Sequence, residues 1–226
     1  MYQNEAAVGA ALRNFGLPRD QVYVVSKINN PDHGYDEVLR ATELSLKNLG
    51  VDAIDLMLIH SPLGGRILES WDALLEARRR GWVRHVGVSN FGMGHLAQLE
   101  AAGRELPAVN QFELSPFCQE RELRRYCSKR GIVVMGYSPL TRGQKLQDSR
   151  VVAVARKHGR SSAQVLIRWA LHQGVASIPK TMRRTRLQEN LAAFEFVLDN
   201  DDLTQLASCE ENLHTCWDCI NEPWQG

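Results

Sequence analysis

The chain alternates short apolar runs with longer segments in which apolar residues recur every three or four positions. The clearest apolar run is IDLMLI at 54–59, which leads into His60 and is followed by Ser61 and Pro62. A short apolar run bounded by proline is typical of a fully buried strand in a parallel sheet. We therefore expect His60 at the carboxyl edge of a sheet, where parallel α/β folds carry their chemistry.

The same pattern predicts one initial helix followed by six strand–helix units. Several helices are predicted to stop at a glycine, because glycine readily adopts the left-handed conformation that ends a helix. Ser70 is predicted to cap the third helix. The predicted strands are 22–25, 54–59, 83–88, 109–112, 132–136 and 176–178, and the predicted helices are 5–15, 35–49, 70–80, 95–102, 120–130, 151–158, 162–173, 185–196 and a short one at 201–210.

Strict alternation of this kind predicts a parallel sheet covered by helices, either an open doubly wound sheet or a closed barrel. No GxGxxG motif follows the first predicted strand, which disfavours a dinucleotide-binding doubly wound domain. A (β/α)8 barrel has eight strands in about 250 residues, whereas this chain has 226 residues and six predicted strands. There is no linker or shift in composition, so a single domain is expected over 1–226.

Composition and charge narrow the classes of function. A net charge of +1 gives no field that would attract nucleic acid or an anionic membrane surface. No apolar run is long enough for a spanning helix, and MYQNEAAVG does not resemble a secretory signal. Five scattered cysteines predict free thiols and a cytoplasmic location, and the lone CxxC of Cys216 and Cys219 is interpreted as two unconnected thiols. We expect no metal, nucleic-acid or membrane partner.

Polar side chains occur at the carboxyl end of each of the six predicted strands. Each has a structural explanation when taken alone: a solvated lysine, a structural histidine, a helix cap, a buried amide or a turn. Six in succession favour an active site, because barrel active sites are assembled from several strand ends. These residues are Lys27, His60, Ser89 with Asn90, Gln111, Tyr137 with Ser138, and Lys180.

Seven motifs identify a resemblance that covers essentially the whole chain. The sequence resembles the aldo-keto reductases, which are NADPH-dependent carbonyl reductases with a (β/α)8 TIM barrel. The resemblance implies such a barrel lacking its first two strands and first helix, hence an N-terminally truncated fragment of a protein that is monomeric when full length. The motifs are MYQNE at 1–5, VVSK at 24–27, DLMLIHSP at 55–62, GVSNF at 87–91, VNQFELSPF at 109–117, GYSPL at 136–140 and IPKTMRRTRLQEN at 178–190.

The resemblance also implies the catalytic roles. Tyr2 would be the proton donor, Lys27 the cation beside it, and His60 the group that orients the substrate carbonyl. A neighbouring ammonium lowers the pKa of a phenol from about 10 towards the working range. A neutral imidazole can donate a hydrogen bond to the carbonyl oxygen, where negative charge develops. The family's catalytic Asp, which lies before the Tyr, has no counterpart in this sequence.

Cofactor and substrate positions are implied in the same way. Lysine and arginine suit a dianionic phosphate, although Arg183, Arg184 and Arg186 could instead form a solvated basic face. Trp224 would close one wall of the substrate site, and the short loops indicate a small carbonyl substrate. For NADPH, the implied contacts are Ser89, Asn90 and Gln111 with the carboxamide, Tyr137 with the nicotinamide ring, Ser138 and Leu140 with the pyrophosphate, Lys180, Thr181 and Arg186 with the 2′-phosphate, and Glu189 and Asn190 with the adenine.

The function expected from these residues is NADPH-dependent reduction of a small aldehyde or ketone by hydride transfer, with Tyr2 protonating the oxygen. An alternative is a catalytically impaired reductase-like protein that binds NADP(H) in a regulatory or structural role, which the missing Asp motivates. A barrel isomerase or aldolase with Lys27 as a Schiff-base lysine is a third interpretation. No phosphate-binding glycine loop near the last strands supports that third interpretation.

Overall fold

Residues 3–226 are described by a computed structural model. Within them, strands and helices alternate as predicted, and the six strands form one sheet in chain order. The first strand pairs in parallel with the second, the second with the third and the fifth with the sixth, so the α/β class is confirmed. The strands are β1 (Val25–Ile28), β2 (Ile54–Ile59), β3 (Val83–Ser89), β4 (Val109–Glu113), β5 (Val133–Tyr137) and β6 (Ala176–Ser177).

The helices follow the strands in the expected order. In addition, short 3-10 turns occur at Arg19–Gln21, Asn30–Asp32, Thr141–Gly143 and Ala192–Phe194. After Ala207 the described chain has no further helix or strand. The helices are α1 (Glu5–Asn14), α2 (Tyr35–Leu49), α3 (Ile67–Arg79), α4 (Met93–Ala101), α5 (Arg121–Lys129), α6 (Ser149–His158), α7 (Ser162–His172), α8 (Arg184–Leu191) and α9 (Asn200–Ala207).

The chain forms two compact units. One consists of the residues up to Asn110 together with Cys219–Gly226, and the other is Gln111–Asp218. The single domain expected over 1–226 stays a prediction, as do the two further strands and the helix that the resemblance implies.

In the first unit, β2 is the central strand and every one of its residues is buried. It pairs in parallel with β1 on one side and β3 on the other. Lys27 lies opposite Leu58, and Ile59 lies opposite Val88. Because the registers are aligned, the carboxyl ends of the three strands come to one edge of the sheet, and the residues that follow β2 and end β3 are at that edge.

A buried carboxylate lies at the opposite end of these strands. Asp55 is only 2% exposed, yet it lies on β2 among apolar residues. Its oxygens are 2.6 Å from Arg19 Nη2 and 2.9 Å from Arg84 Nη1, and the backbone N–H of Val24 donates to it at 2.7 Å. A charge is tolerated in such a place only when it is paired and hydrogen-bonded. Asp55 therefore connects β1 and β3 to β2 through these bonds.

The same contacts explain why the strand predicted at 22–25 begins later, at Val25. The carbonyl of Val22 accepts a hydrogen bond from Arg19 Nη1 at 2.6 Å, and the N–H of Val24 goes to the Asp55 carboxylate. One nearby side chain and one that is 31 residues away thus satisfy backbone groups that a regular ladder would use. Apolar character alone could not reveal this.

The predicted helix start at Ser70 is wrong. Helix α3 begins at Ile67, and Ser70 lies fully buried in its first turn, where its hydroxyl donates to the Arg66 carbonyl at 2.8 Å. The same hydroxyl accepts the N–H of Gly34, which precedes α2, at 2.8 Å. Ser70 therefore caps neither helix, and its hydroxyl instead links the residue before α2 to the residue before α3.

The second unit contains β5 and β6 with helices α5 to α9. Gly136 on β5 is closely surrounded, since a Cβ there would lie 3.0 Å from Leu114 Cβ and 3.2 Å from Val175 Cγ1. Helices α6, α7 and α9 begin at side-chain caps, Asp148, Ser161 and Asp199, each of which accepts a backbone N–H of its helix. The starts of α7 and α9 agree with the predicted ones to within one residue, whereas α6 begins two residues earlier than predicted.

None of the helices found in residues 3–226 has the length and apolar character required to cross a membrane.

Replacing the buried carboxylate tests its role in the first unit. Asp55→Asn keeps the shape of the side chain but removes the charge that pairs with Arg19 and Arg84. Because both arginines are partly exposed, we expect a loss of about 1–3 kcal/mol in the free energy of unfolding, measured by urea denaturation. Asp52→Asn, at an exposed position three residues earlier, is the matched control and should change little. Equal effects of the two substitutions would contradict this role for Asp55.

Candidate active site

Two of the three predicted catalytic residues line one cavity in the first unit. Lys27 lies on β1 and His60 directly follows β2, and both border a cavity of about 760 Å³. Helices α1 and α2 complete the lining. The aligned registers of β1 and β2 bring the two residues to the same strand edge.

Burial sets the protonation of this pair. His60 is 6% exposed, and burial, followed by the positive charge of Lys27, lowers the pKa of its imidazole to about 4. Burial also lowers the pKa of Lys27. At neutral pH the imidazole is therefore uncharged, which is the form that can donate one hydrogen bond and accept another.

The neighbour of His60 determines which ring nitrogen carries that proton. His60 Nδ1 lies 3.4 Å from Asn29 Oδ1, in the loop after β1. With the amide oxygen facing it, Nδ1 donates and Nε2 is left as an acceptor. Rotation of the Asn29 amide by half a turn would present its NH2 to Nδ1 and leave the proton on Nε2. The orientation of the Asn29 amide therefore favours one or the other tautomer of His60.

Ser89 and Asn90 belong to the same strand edge. Asn90 Nδ2 donates to the carbonyl of His60 at 2.9 Å and to Ser89 Oγ at 3.1 Å, and both residues are almost fully buried. Asn90 has a φ of 62°, in the left-handed region that asparagine tolerates better than most residues. The structure thus brings Ser89 and Asn90 together with the backbone of His60.

Trp224 packs beside the start of α4. Its ring lies 6.4 Å from that of His95, whose Nδ1 accepts the N–H of Gly92 at 3.0 Å and whose Nε2 lies 2.6 Å from the Glu222 carbonyl. Since Nδ1 is an acceptor, Nε2 must carry the proton and donate it. Trp224 is not among the described residues that line the cavity of Lys27 and His60. Its predicted role at the substrate stays a prediction.

The tail, which here means the residues from Ile220 to Gly226, also packs against the segments that follow β2 and β3. The carbonyl of Gly226 accepts the N–H groups of Ile67 and of Leu68, the latter at 3.2 Å, and so satisfies the start of α3. At Gly92 there is no room for a side chain, because an added Cβ would overlap the backbone carbonyl of Ile220. The tail is therefore held by backbone hydrogen bonds and by close packing.

In the second unit, Gln111 and Tyr137 lie on neighbouring strands. Gln111 is buried on β4, and its Nε2 lies 2.9 Å from Met135 Sδ on β5. Tyr137 is half-buried at the end of β5. Ser138 follows with a φ of 49°, and its hydroxyl is 3.7 Å from Cys216 Sγ, while Leu140 begins the next turn. These residues all occur where β4 and β5 end.

The predicted phosphate-binding residues surround the start of α8. Lys180 and Arg186 are exposed, and Thr181 Oγ1 accepts the N–H of Arg183 at 3.1 Å. A helix start surrounded by cationic side chains suits an anion, because the free N–H groups and the dipole favour negative charge. The donor set therefore fits a phosphate.

Glu189 and Asn190 lie at the other end of α8, and both are half-buried. The Glu189 carboxylate accepts the hydroxyl of Ser161 at 2.5 Å, and its backbone carbonyl accepts Gln164 Nε2 at 3.0 Å. Glu189 thus also holds α8 against the start of α7.

Tyr2, the predicted proton donor, lies outside the described residues. Two residues with a clear part in the site were missed from the sequence: Asn29, which contacts His60, and His95, which holds the tail. Asn29 follows the VVSK motif by two residues, so its position after a strand end was a usable signal. His95 lies inside a helix and carried no such signal.

The low pKa of His60 predicts a pH-dependent stability. The unfolded imidazole takes up a proton below about 6.5, whereas the folded one does so only near 4. Stability should therefore fall as the pH is lowered through this window, by roughly 2–3 kcal/mol from this residue. Urea denaturation of wild type and His60→Gln at pH 7 and at pH 4.5 measures the difference. We expect the variant to lose less stability between the two values.

His85→Gln is the control for this measurement, because His85 is exposed on β3. It should keep the pH dependence of the wild type. If His60→Gln kept it as well, the imidazole would not be the group that titrates.

Comparison with known proteins supports the resemblance. The profile of the aldo/keto reductase family matches residues 1–211. Glyoxal reductase of Bacillus subtilis is 39% identical over 206 residues, which cover 91% of this chain and 75% of the relative.

Solved structures agree with the sequence relatives. An aldo-keto reductase from a Medee basin deep-sea metagenome library superposes with a TM-score of 0.94 at 34% identity, over 99% of this chain and 84% of that one. A Bombyx mori aldo-keto reductase in complex with NADP gives a TM-score of 0.88 at 32% identity, over 95% of this chain and 78% of that one. The parallel six-stranded α/β arrangement therefore matches the TIM-barrel-like fold of these enzymes, and the chain belongs to the aldo/keto reductase family.

Proposed function

We propose that the protein is an NADPH-dependent oxidoreductase that reduces a small aldehyde or ketone to an alcohol. The observation that supports this most is the cavity that Lys27 and His60 share, in which burial keeps the imidazole uncharged at neutral pH. A neutral donor beside a cation suits a reaction in which negative charge develops on a carbonyl oxygen. A relative of this chain is a glyoxal reductase, so reduction of a carbonyl compound is the first reaction to test.

His60 is proposed to orient the carbonyl by donating a hydrogen bond from Nε2. This role requires the proton on Nε2, hence the Asn29 amide turned with its NH2 towards Nδ1. The Asn90 contact to the His60 carbonyl fixes the backbone from which the ring projects. Asn29 and Asn90 are thus proposed as positioning residues for the same imidazole.

Tyr2 is proposed to protonate the oxygen, with Lys27 as its partner. A buried lysine with a lowered pKa releases a proton more readily than a solvated one. Lys27 could therefore both stabilise the phenolate electrostatically and return a proton to it.

NADPH is the proposed cofactor, and when bound it would supply the hydride. Its 2′-phosphate is proposed to contact Lys180, Thr181 and Arg186 at the start of α8, where the donors fit an anion. For the rest of the cofactor we keep the contacts implied by the resemblance: Ser89, Asn90 and Gln111 with the carboxamide, Tyr137 with the ring, Ser138 and Leu140 with the pyrophosphate, and Glu189 and Asn190 with the adenine.

Catalytic substitutions test the proposed chemistry. Tyr2→Phe, Lys27→Met and His60→Gln should each lower kcat for aldehyde reduction by about 10²–10⁴-fold. Binding of NADPH, followed by quenching of tryptophan fluorescence, should be retained. Thr204→Val, on the exposed side of α9, is a control that should keep both properties. Full turnover by Tyr2→Phe would remove the proposed acid, and binding of NADPH by the wild type without turnover of any aldehyde would favour the non-catalytic alternative.

A second substitution tests the cofactor preference. Arg186→Gln should weaken NADPH binding by about 10- to 100-fold, because hydrogen bonds to charged groups contribute roughly 1.5–3 kcal/mol. Binding of NADH, which lacks the 2′-phosphate, should hardly change. Arg156→Gln, an exposed arginine on α6, is the matched control. If Arg186→Gln weakened both cofactors equally, Arg186 would not be the 2′-phosphate ligand.

A further inference from the structure

Three side chains of metal-ligating type converge in the second unit, and none of them has a role in the proposed reaction. They are Cys118 and Glu120, in the segment between β4 and α5, and His214 in the tail segment. Cys118 Sγ lies 3.7 Å from Glu120 Oε1 and 3.9 Å from His214 Nε2, and the last two atoms are 3.6 Å apart. The three atoms therefore form a nearly equilateral triangle.

The size of this triangle fits a metal ion. In an equilateral triangle, the distance from the centre to each corner is the edge length divided by √3. For this triangle that distance is about 2.2 Å, which is close to the lengths of zinc–sulfur, zinc–nitrogen and zinc–oxygen bonds. A tetrahedral ion slightly out of the plane would need edges of roughly 3.4–3.6 Å. His214 Nδ1 is as close to Cys118 Sγ as Nε2 is, at 3.8 Å. Coordination through Nε2 therefore requires rotation of the imidazole as well as contraction by a few tenths of an ångström.

The electrostatic surroundings also favour a cation. Cys118 is fully buried, and the side chains of His214 and Glu120 are 12% and 15% exposed. The thiol is therefore enclosed with one carboxylate and one imidazole, a set of ligands whose negative charge a divalent cation would neutralise.

Backbone hydrogen bonds hold the two segments in place before any ion binds. Ser115 and Cys118 exchange both backbone hydrogen bonds at 3.1 Å. The Phe117 carbonyl accepts the N–H groups of Glu211 and Leu213 at 3.1 and 2.9 Å, just before His214.

Immediately after His214, a second contact holds the tail segment. The Glu113 carboxylate accepts the N–H groups of Thr215 and Cys216, each at 3.0 Å. His214 is therefore fixed on both sides beside Cys118, so a metal would find its ligands already arranged.

We propose that Cys118, Glu120 and His214 form a binding site for a transition-metal ion, with zinc as the best fit. A thiolate, an imidazole and a carboxylate are ligands that zinc accepts together, whereas magnesium and calcium favour oxygen ligands alone. On binding, a sulfur–metal bond forms and the thiol proton leaves to solvent. The fourth position would be taken by water or by the partly exposed Asp218, whose Oδ1 is 3.9 Å from His214 Nε2.

Cobalt(II) is the probe for this site, because its spectrum reports both the ligands and the geometry. The full chain, treated with a chelator and then titrated with Co²⁺, should bind one ion. It should develop a thiolate-to-cobalt charge-transfer band and the intense d–d bands of a tetrahedral site. Excess Zn²⁺ should displace the cobalt and bleach both features. A chain that binds no cobalt, or binds it without the thiolate band, would refute the proposal.

Variants identify the ligands. Cys118→Ser should abolish the thiolate band, and His214→Gln should weaken cobalt affinity at least about tenfold. Cys127→Ser, at another buried thiol in the same unit, is the matched control and should keep the band. Near-ultraviolet circular dichroism confirms that each variant is folded before titration. Survival of the band in Cys118→Ser, or its loss only in Cys216→Ser, would assign the thiolate elsewhere and overturn the proposed ligand set.

Discussion

The arrangement of the first unit depends on one buried carboxylate. Asp55 is held by Arg19, Arg84 and the N–H of Val24, at the amino end of the central strand. Because parallel strands share one register along their length, fixing that end also fixes the opposite end, where Lys27 and His60 line their cavity. The polar groups proposed for the reaction are therefore positioned by ion pairs located at the other end of the strands that carry them.

Burial acts on both clusters of chemical groups, with opposite consequences. At His60 it disfavours the cation and leaves a neutral imidazole, which suits hydrogen bonding to a carbonyl. At Cys118 and Glu120 it disfavours the anions and so raises the pKa of the thiol and of the carboxyl group.

The sequence was informative where structure depends on local pattern. The apolar run at 54–59 predicted β2 and its burial, because that signal lies within a few residues. Interactions between distant residues left no such pattern. The late start of β1 depends on Asp55, about thirty residues away, and His214 is 96 residues from Cys118. No periodicity links positions so far apart, so these features became visible only in three dimensions.

The missing side chain of Gly92 has a consequence for the chain as a whole. The carbonyl of Ile220 occupies the space that any other residue at position 92 would fill, and His95, three residues later, donates to the Glu222 carbonyl. The path of the tail therefore depends on the absence of a side chain at position 92 as well as on hydrogen bonds. A residue larger than glycine at position 92 would therefore fit only if the tail moved.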